Sequence, residues 1–210
     1  MQKLLLHPSY FGPVSQFVAM VNAEEIVFEN EDNYQKQTYR NRMYIYGANG
    51  KLLLNIPIKH TGDKSGHQKY RDLKIENDFP WQKQHWKSIE TVYRTSPFFE
   101  FYEDEFYPLY HKKFDFLMDF NYHSLHLTLE CLQMDLTYQK TREYFKTPLE
   151  VKDARFLIEA KKKQTQSFEP YNQVFQEKYG FLNDLSIVDL IFNEGPNALN
   201  YLQRQEISFP

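Results

Sequence analysis

Residues 3–28 read KLLLHPSYFGPVSQFVAMVNAEEIVF, and the order of apolar runs and breakers in this stretch decides the fold. Lys3 to Leu6 is a short apolar run bounded by Pro8 and Gly12, the pattern of a buried strand. Pro8 and Pro13 bracket a rigid turn, because proline fixes φ and disfavours helix in the residue before it. Val14, Phe17, Val18 and Val21 then recur at helical spacing, and Ile26-Val27-Phe28 is a second strand. Strand, turn, helix, strand is a βαβ-like opening, which predicts a parallel pair joined by a crossover.

Beyond it, Met43 to Ile58 reads as a hairpin with its tip at Gly47-Ala48-Asn49-Gly50 and with Leu52, Leu54, Ile56 and Ile58 on one face. Lys59 to Arg71 is a polar loop holding two glycines. Pro80 to Thr95 is a helix whose Trp81, His85, Ile89 and Val92 share a face, and Pro97 breaks the chain after it. Lys113 to Leu132 is a longer helix with a core stripe of Phe114, Met118, Tyr122, Leu125, Leu129 and Leu132. Leu136 to Lys140 is a short strand, and Lys152 to Lys163 a basic stretch, helical in part. Leu185 to Asn193 is an apolar helix stopped by Gly195-Pro196, and a last helix covers Asn197 to Arg204. The expected class is α/β, or α+β: a short N-terminal sheet with the βαβ-like opening and the hairpin, then a helical C-terminal half. One domain is expected over residues 1–210.

Composition narrows the function classes. The formal net charge of −3 argues against a general nucleic-acid binder. No run approaches the ~18 apolar residues of a membrane span, and the single cysteine, Cys131, fits a reducing compartment, so a cytoplasmic protein is expected. The aromatic fraction of 17% is high enough to supply rings to both a core and a ligand cleft.

Two segments carry the candidate chemistry. The turn His7-Pro8-Ser9-Tyr10 follows a strand and precedes a helix, where open α/β sheets bind ligands, and His7 titrates near neutrality. The plain alternative is a rigid connector. Tyr34 to Arg42 places Lys36, Arg40 and Arg42 close together, and arginine's planar fork matches phosphate or carboxylate. The plain alternative there is a solvated basic segment, or arginines that hold the fold in ion pairs. Asp119, His123, His126 and Glu130 share one face of the long helix, a pattern read as a solvated face rather than as metal ligands. Cys131 reads as a small buried hydrophobe. Asp189, in an apolar helix, either orients an arginine or points to solvent.

Together these segments resemble the WbqC-like protein family. His7-Pro8-Ser9-Tyr10 with Pro13 looks like its opening Gln-Pro-Asn-Tyr-x-Pro, with His7 and Ser9 in place of its Gln and Asn. Asn33-Tyr34-Gln35-Lys36 with Arg40-Asn41-Arg42 looks like its Gln-Tyr-x-Lys followed by Asn-Arg. Ile56-Pro57-Ile58, Trp86, Tyr93 and Pro97-Phe98-Phe99 fit its middle, and the run from Leu185 to Gly195 is similar to its closing Leu-Ser-x-x-Asp-Leu-x-Phe-x-x-Gly. The resemblance implies a transferase acting on sugars; with cations and polar aromatics meeting at a strand end, the expectation is a group-transfer enzyme of surface-polysaccharide or amino-sugar metabolism, acting on a small molecule and binding an anionic activated donor. Arg40, Arg42, Lys36 and Lys69 would hold the donor beside Asn41. His7 would be the acid or base, and Tyr10 and Tyr34 would position a ring. The rival is a non-catalytic module for a partner protein or an anionic ligand. A deep pocket lined by His7, Tyr10, Asn41 and Arg42 would favour the enzyme, and burial of these residues in structural hydrogen bonds the module. No metal is assigned, and the sequence identifies neither a cofactor nor an oligomeric state.

Overall fold

The computed structural model describes residues 3–59, 68–161 and 166–209. The opening folds as its pattern predicts. β1 (Lys3–Leu6) and β2 (Glu25–Phe28) pair in parallel across the crossover helix α1 (Val14–Val21), with Leu4 opposite Ile26 and Leu6 opposite Phe28. β3 (Arg42–Gly47) and β4 (Gly50–Asn55) form the hairpin. Gly47 pairs with Gly50, so Ala48 and Asn49 make the turn, and Gly50 closes it at φ 96°. Neither turn residue has a positive φ, so this is not one of the primed turns, and the left-handed Gly50 takes up the twist. Leu54 and Ile56 face the core, but Leu52 is 36% exposed, because the buried face ends before the tip.

The parallel sheet is larger than the first thirty residues suggest. β5 (Tyr138–Lys140) adds in parallel to β2, and β6 (Lys152–Asp153) adds in parallel to β1, giving the order β5-β2-β1-β6. The stretch from Lys152 therefore starts as a strand, not a helix, and only then turns through a short 3-10 segment, Arg155–Ile158. The open edge of β1 decides this, since Ala154 N–H donates to Leu5 O at 2.9 Å. Lys162 and Lys163 at the end of that stretch, and residues 60–67 of the loop after the hairpin, lie outside the described residues.

The later helices are α2 (Trp81–Tyr93), α3 (Phe99–His111), α4 (Leu117–Cys131), α5 (Gln176–Tyr179), α6 (Ile187–Glu194) and α7 (Ala198–Arg204). α3 was not expected past Pro97; it buries Phe99, Phe106, Leu109 and Tyr110 on one face and tolerates Pro108 in its last turn. α4 begins four residues later than the expected start at Lys113, because residues 115–117 bond to the segment from Leu73 to Ile75. Among the described residues no helix is long and apolar enough to cross a membrane.

Many of the aromatic side chains lie in the core. Phe192 of α6 packs against Phe99, Phe106 and Tyr93 with ring centroids 4.9–5.2 Å apart, and Phe106 stacks on Phe11 at 5.3 Å. Each such ring removes a large apolar area from water, which is the main favourable term in folding.

The turn after β1 is fixed from several sides. Tyr10 N–H donates to Tyr39 O, Val14 N–H to Leu185 O and Ile187 N–H to Gly12 O. Ser186 Oγ donates to Phe11 O, where the backbone is held at φ 37°. Gly12 has no space for a side chain: a Cβ would lie 2.1 Å from Gln16 Oε1 and 2.4 Å from Ser9 Oγ, which are hydrogen-bonded across it. Asp184 supplies the acceptor that α1 lacks at its own N-terminus, taking Ser15 N–H at 2.7 Å and Ser15 Oγ at 2.9 Å.

Candidate functional site

β1 sends the chain to β2 on one side, while β6 arrives on the other, so strand order reverses between β1 and β6. Such a reversal opens a crevice beyond the strands' carboxyl ends. A cleft of about 310 Å³ lies there, lined by His7 just past β1, Asp32 after β2, Asp153 at the end of β6, and Arg40, Arg155, Tyr144 and Glu159.

His7, Asp32 and Arg40 form a buried triangle. His7 Nε2 lies 3.0 Å from Asp32 Oδ2, and Arg40 Nη2 lies 2.6 Å from the same oxygen and 2.8 Å from His7 Nε2. Asp32 Oδ1 accepts the Asn33 N–H at 2.7 Å. The Tyr70 ring lies beneath the Arg40 guanidinium at 5.3 Å, and its hydroxyl donates to Pro8 O at 2.8 Å. Asn121 of α4 donates to both Arg40 O and the Tyr70 oxygen, so three separate elements hold the arginine. Either tautomer of His7 leaves Nδ1 buried and without a hydrogen-bond partner among the described residues, and the same is true of Arg40 Nε and Arg42 Nε.

Burial and then the Arg40 charge push His7 down to about 3, against the pull of Asp32. Burial alone would raise the Asp32 carboxyl, but the His7 hydrogen bond and the Arg40 charge outweigh it and leave it below its ordinary value. The site at neutral pH is a carboxylate, a guanidinium and a neutral imidazole. Burial likewise lowers His85 to about 4. Both histidines are neutral in the fold yet bind protons in the unfolded chain below about pH 6.5, so their contribution is complete above that pH and is lost as pH falls toward their folded values. Asp184, raised by burial to about 6, acts in the opposite sense, because the fold holds its proton more tightly than the unfolded chain does. The histidine effect is therefore read by difference. His7→Gln should flatten the stability profile between pH 6.5 and 4 by up to about 1.4 kcal/mol per pH unit relative to wild type, measured by urea unfolding.

Of the residues singled out from sequence, the structure brings His7 and Arg40 together in the cleft. Arg40 also makes the fold-holding pair with Asp32 that stood as an alternative. Tyr10 is fully buried, its hydroxyl bonded to His85 Nδ1 and Tyr110 Oη at 2.9 Å each. Asn41 donates to Asn55 Oδ1 and Ile56 O, and accepts from the Tyr34 hydroxyl at 3.0 Å. Burial raises the Tyr34 phenol, while the charges of Arg42 and Arg40 oppose that. Lys69 donates to Glu31 O at 2.6 Å, and Lys36 is exposed. Asp32, Asp153, Arg155 and Tyr144 were not foreseen. Asp32 is adjacent to the Tyr34 segment and could have been included with it, whereas Arg155 reaches the cleft only through the pairing of β6 with β1.

Elsewhere, His123 and His126 of α4 are exposed and bond to Asp119 O and the Tyr138 hydroxyl, and no group among the described residues could hold a metal ion. Cys131 is buried, and burial pushes its thiol up to about 12, which makes it inert. Asp189 neither orients an arginine nor meets solvent: it is fully buried and accepts from Tyr93, Tyr171 and Gln173.

The sequence model of the WbqC-like protein family matches residues 7–167. The uncharacterized protein Rv1507c of Mycobacterium tuberculosis (strain ATCC 25618 / H37Rv) is 26% identical over 111 residues, which are 52% of this chain and 47% of that protein. The chain thus spans about half the length of that curated relative. No solved structure matches.

Proposed function

The chain belongs to the WbqC-like protein family, and from that premise we propose that it is a group-transfer enzyme of surface-polysaccharide or amino-sugar metabolism with an anionic activated donor. The observation that supports this most is the buried His7–Asp32–Arg40 triangle under a polar cleft at the reversal of strand order. Arg40 lines the cleft, and its guanidinium supplies the positive charge for the phosphate or carboxylate of the group donor. His7 acts as base rather than acid, since burial and Arg40 keep it unprotonated at neutral pH. Its imidazole, which lines the cleft, takes the proton of the acceptor's hydroxyl or amine as that atom bonds to the transferred group, and the bond to the donor's anionic part breaks and releases it. Asp32 steadies the imidazolium as it forms. A bound anion offsets the Arg40 charge, and that raises the His7 pKa when the donor is in place.

Thermal shifts with nucleotide sugars and acyl donors test this. A ligand at a hundred times its Kd stabilises the fold by about 2.7 kcal/mol, a shift of several degrees in Tm. Wild type should show it with at least one donor, and Arg40→Lys and Arg42→Ala should weaken it. No stabilisation by any of them overturns the proposal. The rival reading, a non-catalytic module, draws on Tyr10 and Asn41, which are engaged in structural hydrogen bonds. Binding without turnover of the bound donor would favour it.

A further inference from the structure

The connection between β5 and β6, residues 141–151, brings Tyr144 to the cleft, and one arginine holds it in place. All five N–H donors of Arg155 are engaged. Nε and Nη2 grip Asp153 at 2.9 and 2.6 Å, Nη1 reaches Glu29 Oε2 at 3.4 Å and Phe145 O at 3.1 Å, and Nη2 reaches Lys146 O at 3.1 Å. The root of the connection is tied by Thr141, whose N–H donates to Phe28 O and whose hydroxyl donates to Glu29 Oε1. Arg155 is thus saturated and has no donor to spare for a ligand; it is a strut. Its guanidinium carbon lies 5.4 Å from the centroid of the Tyr144 ring, which lines the cleft and is 41% exposed.

Two carboxylates of the cleft are paired with its arginines. Asp32 is paired with Arg40, and Asp153 with Arg155. Besides these pairs the cleft is lined by the Tyr144 ring, Phe156 and the Gln35 amide, and the Asp153 carboxylate is part-exposed. Ring faces beside hydrogen-bond acceptors match a neutral molecule that has an apolar C–H face and a rim of hydroxyl donors.

We propose that Tyr144, held by Arg155, is the stacking platform for a pyranose ring, so that the acceptor of the transfer is a neutral saccharide. This rests on reading the cleft as the substrate site. Tyr144 is a positioning residue: it sets the ring over the acceptors while His7 faces the reacting hydroxyl or amine.

Saturation-transfer NMR with glucose, N-acetylglucosamine and uridine, on wild type, Tyr144→Ala and Tyr144→Phe, tests the platform. Either saccharide should receive saturation on the protons of one ring face. Tyr144→Phe should retain the effect, and Tyr144→Ala should bind about three- to ten-fold more weakly, the worth of one ring contact. Saccharide binding that is equal in Tyr144→Ala, binding of uridine in place of the saccharides, or no saccharide signal overturns the inference. The donor thermal shifts and their loss in Arg40→Lys are scored separately. Shifts that persist while saccharides ignore Tyr144 overturn the platform alone, and saccharide stacking without any donor shift overturns the donor reading alone.

Discussion

Asp189→Ala is expected to remove about 3–5 kcal/mol of folding stability, a large share of the total for a domain of this size. The carboxylate is fully buried and takes hydrogen bonds from the Tyr93 hydroxyl at 2.6 Å, the Tyr171 hydroxyl at 2.7 Å and Gln173 Nε2 at 2.9 Å. Burial raises its pKa against those three donors. Alanine would leave three buried donors facing a cavity, and an unmade buried hydrogen bond costs far more than a made one contributes. The damage would spread, because Tyr93 also accepts the Tyr46 N–H of the hairpin, while Gln173 bonds both N–H and C=O of Leu182. Asp189→Asn keeps the shape and one acceptor, and the two phenols can turn to accept, so a loss nearer 1 kcal/mol is expected. Urea unfolding read by circular dichroism compares the two variants. Equal midpoints for wild type and Asp189→Ala would refute the account.

The second large effect is at Arg40. Arg40→Ala strands the Asp32 carboxylate in the floor of the cleft beside a neutral imidazole, and breaking a buried pair on one side costs about 3–5 kcal/mol. The double substitution Arg40→Met with Asp32→Asn removes both charges and should recover most of that loss. It should not recover donor binding, which separates the structural role of the pair from its chemical one. Losing Arg40 also removes the charge that holds His7 low, so in Arg40→Ala the imidazole should pair with Asp32 and titrate well above its wild-type value of about 3. Histidine NMR during a pH titration reads this directly, and an unmoved His7 would show that burial alone sets it.

Much of this molecule can be read from its residues, and the limits have physical causes. The βαβ opening is legible because Leu4 to Leu6, the helical spacing from Val14 to Val21, and Ile26 to Phe28 are each set by local periodicity. β6 is not legible, because two exposed residues, Lys152 and Asp153, have no periodicity and become a strand only by meeting the edge of β1. α3 is hidden by Pro108 and by an acidic face that masks Phe99, Phe106 and Tyr110. The site divides the same way. His7 at a strand end and Arg40 in a cationic cluster carry local signals, and both line the cleft. Tyr10 carries the same kind of signal, yet its ring faces the core, since a sequence shows that a tyrosine is present but not which side of the backbone it takes. Arg155 becomes a strut of the cleft through partners as distant as Glu29, which no local pattern encodes.

The strand order also bears on how the chain is made. β1 lies inside the sheet, yet its two neighbours emerge from the ribosome at very different times: β2 follows almost at once, while β6 comes only after residue 151. At ordinary rates of synthesis the far side of β1 stays unpaired for roughly 7–30 s. Over the same interval α1 awaits Asp184 at its N-terminus, and the turn at Phe11 awaits Ser186. The nascent chain thus carries an open apolar edge, Leu4-Leu5-Leu6, until β6 emerges, and that edge is its exposure to mispairing with other nascent chains and its natural point of capture by a chaperone.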